Sequence, residues 1–166
     1  MNLAIDTDAL IKLTKSSSKG TVGKAFTVLV PGDVQRECVQ QGKAGGFPDA
    51  LRVEENIGRR LLTVRKPTRS AETEAIVRDL KLTGGEADVL RLYRSGGIDL
   101  IVSDDRRFLQ ILEALGIPYS TPGLLLAALS KMGKISRKEA LEHLGKLEAL
   151  ISEEEYSEAK RAVEEG

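Results

Sequence analysis

Five acidic positions stand where parallel sheets deliver chemistry. Asp6 ends the apolar run Leu3-Ala4-Ile5 and is followed at once by Thr7, Asp8 and an apolar helical pattern through Leu13. A short apolar run of this kind reads as a buried strand, and ligands of open α/β sheets sit just beyond the carboxyl ends of such strands. Glu37 falls near the start of a predicted helix after Phe26-Thr27-Val28-Leu29-Val30 and its Pro31-Gly32 stop. Glu86 falls in the first turn of a predicted helix after Thr83. Asp104 and Asp105 directly follow Leu100-Ile101-Val102, the clearest strand pattern in the chain. Carboxylates gathered at one sheet edge repel one another unless a divalent cation neutralises them. Oxygen-only ligands favour Mg²⁺ or Mn²⁺ over Zn²⁺, and the chemistry such a site serves is phosphodiester hydrolysis, with water activated and phosphate charge stabilised.

Each acid also has a purely structural role open to it. Asp6 can cap the helix at Ala9, and one of Asp104 and Asp105 can cap the helix from Arg106; the sequence leaves open which of that pair faces a site. Thr83-Gly84-Gly85-Glu86 fits a capping box. Positions 82, 86, 89, 90 and 93 nevertheless share one helical face, on which Glu86 is the lone acid among Leu82, Val89, Leu90 and Tyr93. An acid on an apolar stripe needs a partner. Asp88 points elsewhere, beside Arg91, so Glu86 is the preferred ligand. Thr7, Asp8 and Ser103 are placed to support the carboxylates. Arg106 and Arg107 are placed to meet a phosphate backbone, as are the groups Arg59, Arg60, Arg65, Lys66, Arg69 and Lys12, Lys15, Lys19, Lys24.

The elements that must position these residues follow in order. Strands are expected at 2–6, 25–30, 61–64 and 100–102, with a short edge segment at 117–120, where Pro118 bars a central position. Helices are expected over 8–13, 34–41, 48–58, 70–80, 84–93, 106–115 and 121–130. Lys15 to Gly23 reads as a loop, and Gly42 to Pro48 as a glycine-rich break. Strands alternating with helices argue a parallel α/β sheet. From Ile135 the pattern becomes helical, with capping boxes at Ser136–Glu139 and Ser152–Glu155. Residues 1–130 form the expected main domain and 131–166 a helical extension packed on it or on a partner. His143, on that extension, is expected to be a surface or packing residue.

Composition narrows the classes further. The 25 basic and 25 acidic side chains cancel, so no global attraction to nucleic acid or membrane exists. One cysteine, Cys38, and one histidine leave little material for disulfides, a His-rich metal site or a Ser-His-Asp triad. A reducing, cytoplasmic setting is expected, with no secretory signal and no membrane span. Aromatic residues are 4% and tryptophan is absent, so base stacking would be a minor recognition device.

With these residues in view, the chain resembles the PIN-domain nucleases over residues 1 to about 125. Ile5-Asp6-Thr7-Asp8-Ala9-Leu10-Ile11 is similar to the family's first motif, and Pro31-Gly32-Asp33-Val34-Gln35-Arg36-Glu37 to its second. Leu82-Thr83-Gly84-Gly85-Glu86-Ala87-Asp88-Val89-Leu90 is similar to the third, and Leu100-Ile101-Val102-Ser103-Asp104-Asp105-Arg106-Arg107-Phe108 to the fourth. Many relatives carry asparagine where Asp8 stands, and many carry an aspartate in the third motif. The tail is similar to helical extensions in a prokaryotic branch of that family. The resemblance implies a three-layer α/β/α sandwich and an Mg²⁺- or Mn²⁺-dependent ribonuclease, in which Asp6, Glu37, Glu86 and Asp105 act and Asp6, Glu86, Asp104 and Asp105 hold metal. It also implies a toxin of a VapC-type toxin–antitoxin pair, with an antitoxin partner and a homodimer. Two alternatives are a catalytically weak PIN-like module that binds RNA or protein, and a haloacid-dehalogenase-type phosphatase using Asp6 and Asp8. The second lacks the family's Thr or Val at the position of Leu10.

Overall fold

The structure, a computed structural model, describes residues 1–32 and 62–166. Within them the chain runs β1 (Asn2–Ile5), α1 (Thr7–Lys15), α2 (Lys19–Ala25), β2 (Thr27–Pro31), β3 (Thr63–Arg65), α3 (Ala71–Asp79), α4 (Gly84–Arg94), β4 (Leu100–Val102), α5 (Arg106–Ala114), β5 (Tyr119–Ser120), α6 (Pro122–Lys131), α7 (Arg137–Leu147) and α8 (Glu153–Glu165). The strands form one sheet in the order β3-β2-β1-β4-β5, and every neighbouring pair is parallel.

Strand periodicity builds the layers. Successive side chains of a strand point to opposite faces. Leu3, Ile5, Val28, Val30 and Val102 therefore share one core with Leu10 and Leu13 of α1, Leu125, Leu126 and Leu129 of α6, and Leu144, Leu147 and Val163 of the last two helices. Ala4, Leu29 and Ile101 face the other way and join Val77, Val89, Leu90, Phe108 and Leu112 of α3, α4 and α5. The result is a three-layer α/β/α sandwich, with the C-terminal helices enlarging one outer layer by packing on α6.

Strand order decides where a site can lie. From β1 the chain builds outward through β2 and β3, then returns to place β4 and β5 on the other side of β1. The order reverses between β1 and β4, which is the switch point at which open α/β sheets hold their ligands. The pairings Ala4↔Ile101 and Ile5↔Val102 bring the two strand ends level.

Three local expectations need correction. Lys15 to Gly23 is not all loop, since α2 occupies Lys19–Ala25. Its polar composition hid the buried Val22, while Ser16 and Ser18, both fully buried, bond the carbonyl of Leu13 at the end of α1; Ala25 and Phe26, expected to open the second strand, instead end and cap α2. Thr83 occupies the N-cap of α4 but makes no side-chain cap bond. Gly84 begins that helix at φ 50°, a left-handed value, and the Thr83–Glu86 box does not form. Ser136 and Ser152 both cap their helices as expected. The carboxylate of Glu155, however, accepts the N–H of Gly123 at 2.9 Å instead of closing a box. The predicted helices at 34–41 and 48–58 and the glycine-rich break between them lie outside the described residues, as do Glu37, Arg59 and Arg60.

Candidate metal centre at the sheet switch point

Asp6 leaves β1 and turns the chain into α1. Its backbone is extended, and Oδ1 accepts the N–H of Ala9 at 2.8 Å, so it is an N-cap as well as a cleft residue. Asp105 does the same after β4, with Oδ1 accepting the N–H of Phe108 at 2.8 Å. Each cap spends one carboxylate oxygen and holds the other at the sheet edge. Ser103, fully buried, ties the two together: its Oγ accepts the N–H of Asp105 at 3.2 Å, and its hydroxyl bonds the Asp6 carboxylate.

Glu86 arrives from α4, whose start lies against β1. A Cβ on Gly85 would sit 3.1 Å from Thr7 Oγ1, so only glycine allows this approach without displacement. Asp6, Thr7, Asp8, Ile11, Gly84, Gly85, Glu86 and Asp105 then line one open cleft of about 380 Å³.

Charge repulsion and burial mark this cleft. Asp6 is 5% exposed, and desolvation is the largest force pushing its pKa up to about 6, with Asp104 and Asp8 adding repulsion against the Ser103 and Ala9 hydrogen bonds. The Glu86 carboxyl is also raised, by burial first and then by Asp105, against the pull of Arg107.

The remaining predicted residues separate cleanly. Asp104 is not in the cleft lining; its Oδ2 is bound by Lys12 Nζ. Asp88 bonds Arg91 Nη1 at 2.8 Å, and Arg91 in turn grips both oxygens of Glu74 at 2.7 and 2.9 Å. Arg107 donates to the carbonyl of Leu80 at 2.6 Å and lies 3.7 Å from Glu86 Oε2. Arg106 is exposed on the first turn of α5. Of the lysines expected around the first loop, Lys12 is ion-paired and Lys19 is only 4% exposed, so neither belongs to a solvated fringe. His143 is a packing residue: buried, with Nδ1 donating to the carbonyl of Ser16 at 3.0 Å.

The composition-based reading missed Lys12 as a partner of the acids and Glu155 as a contact to α6. Lys12 had a readable signal, since it falls one turn after Asp8 on the same face of α1. The Glu155 contact joins residues 32 apart and had none.

A three-layer α/β/α fold with carboxylates at the switch point places the chain among α/β proteins that gather a ligand or ion at that edge of the sheet. A family model described as a PIN domain matches residues 2–165, and the chain belongs to the PIN-domain family. Its fold is therefore a nuclease fold, and PIN domains generally act on nucleic acids. Family membership decides against the phosphatase alternative. Comparison with curated proteins and with solved structures gives no match. No helix among the described residues is long and apolar enough to cross a membrane.

PIN domains typically use divalent metal ions. The donor chemistry suits one, since Asp6, Glu86 and Asp105 offer oxygen only and burial, more than any neighbouring charge, raises the carboxyls of Asp6 and Glu86. Among the described residues no group of three or more His, Cys, Asp or Glu stands close enough to hold an ion.

Proposed function

We propose that this protein is a ribonuclease dependent on Mg²⁺ or Mn²⁺. The observation that carries the reading is the convergence of Asp6, Glu86 and Asp105, from β1, α4 and the end of β4, on one cleft at the switch point. In this reading those three carboxylates would draw closer together to hold the ion than they stand here, and Glu37, outside the described residues, is the fourth acid expected from the sequence. Asp105 takes precedence over Asp104 because Asp104 is bound to Lys12, and Glu86 over Asp88 because Asp88 is bound to Arg91. A divalent ion bound there would activate water and stabilise charge on the scissile phosphate. Ser103 fixes the orientation of Asp6, and Thr7 and Asp8 complete the wall of the cleft. Arg107 and Arg106 flank the acids and meet the RNA backbone.

The same reading takes residues 1–130 as the nuclease unit and 131–166 as its helical extension. It carries a cytoplasmic VapC-type toxin with an antitoxin partner, acting as a homodimer.

The test is cleavage of single-stranded RNA with Mn²⁺ and with chelator. The parent is expected to cut only with metal, and Asp6→Asn and Glu86→Gln are each expected to lose about 100-fold or more, the scale of removing one transition-state-stabilising group. An Asp6→Asn protein that cuts as well as the parent ends this mechanism. A parent that binds RNA without cutting it points to the binding-module alternative.

A further inference from the structure

Lys12 stands among the acids without lining their cleft. It projects from α1 one turn after Asp8, and its Nζ is bound by Oδ2 of Asp104, 92 residues later. The pair is mostly enclosed, with side-chain exposures of 23% for Lys12 and 9% for Asp104. Two further acids feel the charge of Asp104. Asp6 and Glu155 are both raised in part by repulsion from it, and Lys12 pulls Glu155 the opposite way. Glu155 belongs to α8, is 8% exposed, and is anchored to the first turn of α6 through the N–H of Gly123. A Cβ on Gly123 would lie 3.2 Å from its Oε1 and 3.0 Å from Ala159 Cβ, so the glycine lets α8 come this close. Asp104, after β4, and Glu155, on the C-terminal extension, therefore both meet the charge of Lys12, and Asp6, at the end of β1, feels it only through Asp104.

Removing one partner of an enclosed ion pair leaves a charge that neither water nor protein satisfies. An ammonium is a compact point charge on a flexible stem, able to neutralise a carboxylate without shaping a coordination sphere. Lys12 thus supplies, from within the chain, part of the neutralisation that a divalent ion supplies from outside.

We propose that Lys12 is a resident counter-ion. It holds Asp104 out of the metal-binding set, keeps the acidic edge folded without metal, and thereby sets how much divalent ion the site requires. Lys12 is a positioning residue acting through Asp104, and the metal half of the proposal rests on the ribonuclease reading above.

The experiment uses the full chain after chelator treatment, with thermal melting and Mn²⁺ binding followed by electron paramagnetic resonance. Lys12→Met is expected to lower the metal-free melting temperature by roughly 3–6 °C. It frees Asp104 for metal, so the Mn²⁺ dissociation constant should fall about tenfold, a typical size for energetic coupling between sites. The double variant Lys12→Met/Asp104→Asn should return both values toward the parent, and Lys12→Arg, which keeps the charge, should match it. Unchanged melting in Lys12→Met overturns the counter-ion. Mn²⁺ affinity that is unchanged or weaker in Lys12→Met overturns the competition. If Lys12→Met does not fold, a parent-like Lys12→Arg supports a need for charge, and an unfolded Lys12→Arg overturns it. If the parent binds no Mn²⁺, the metal reading is what fails, and the melting comparison still decides whether Lys12 neutralises Asp104.

Discussion

The acidic edge has two halves, and they answer their charge differently. In the enclosed half, Asp6 and Asp104 leave neighbouring strands, Ser103 ties Asp6 to the backbone of Asp105, and Lys12 is fixed on Asp104. In the open half, Glu86 and Asp105 face solvent, and among the described residues Arg107, half-exposed, is the cation paired with Glu86, at 3.7 Å. An exposed pair at that distance is worth little and is readily exchanged. A guanidinium so held can leave Glu86 for a phosphate, where its fork makes the stronger bidentate bond. The enclosed half is thus built to stay as it is, and the open half to exchange partners. In the proposed ribonuclease this contrast would bring RNA in on the Glu86 side, with β1 and β4 as the fixed wall behind it.

The two neighbouring aspartates give the sharpest test of that division. Asp105→Asn keeps the cap on Phe108 N–H, because asparagine caps as well as aspartate, but removes a charge from the cleft. RNA cleavage is expected to fall about 100-fold or more, with melting nearly unchanged. Asp104→Asn removes a charge that faces Lys12, so cleavage should change by less than about tenfold while metal-free stability falls by roughly 1–2 kcal/mol for the lost pair. The reverse ranking in paired cleavage and melting assays would erase the boundary between the halves.

A second contrast lies along α4. Glu86 and Asp88 are two residues apart, yet one faces the cleft and the other is held by Arg91 beneath α3. Asp88→Asn keeps an oxygen for Arg91 Nη1 but removes the charge from a mostly buried ion pair. It is expected to cost about 1–2 kcal/mol in denaturant unfolding and to leave the rate of RNA cleavage within about threefold of the parent. Cleavage lost in Asp88→Asn but retained in Glu86→Gln would move the ligand one helical face over.

What the sequence disclosed and what it withheld divide by range. The strands ending at Ile5 and Val102 are legible because burial on both faces makes them continuous apolar runs, and the carboxylates after them are adjacent in sequence. The orientation of α4 is legible because 3.6-residue periodicity separates Glu86 from Asp88. The choice between Asp104 and Asp105 is not, since either can cap α5; it depends on Lys12, 92 residues away. Helix α2 is hidden for a related reason. Its glycines and lysines look like loop residues until tertiary contacts bury Lys19 and Val22. The Thr83–Glu86 box fails because the positive φ of Gly84 is a property of the folded backbone, not of the residue spacing.

The smallest expected effect concerns the outer side of the enclosed half. Glu155 is raised above the ordinary value of 4.5, by burial first, against its hydrogen bonds from Gly123 and Thr121. A raised acid favours the folded state when protonated. Its contribution is fully present below the unfolded value of 4.5 and is lost as pH rises through the higher folded value. At neutral pH the parent therefore carries the cost of a charged, nearly buried carboxylate. Glu155→Gln keeps an oxygen for the Gly123 N–H and removes that cost. Relative to the parent, its melting temperature is expected to gain roughly 1–3 °C between pH 4 and pH 7.5. A difference that stays flat across that range would mean that Glu155 titrates as a solvated side chain. A difference that shrinks toward neutral pH would mean that Lys12 and the first turn of α6 bind the anion more strongly than burial penalises it. In that case the extension would hold Lys12 directly, and the enclosed half would reach as far as α8.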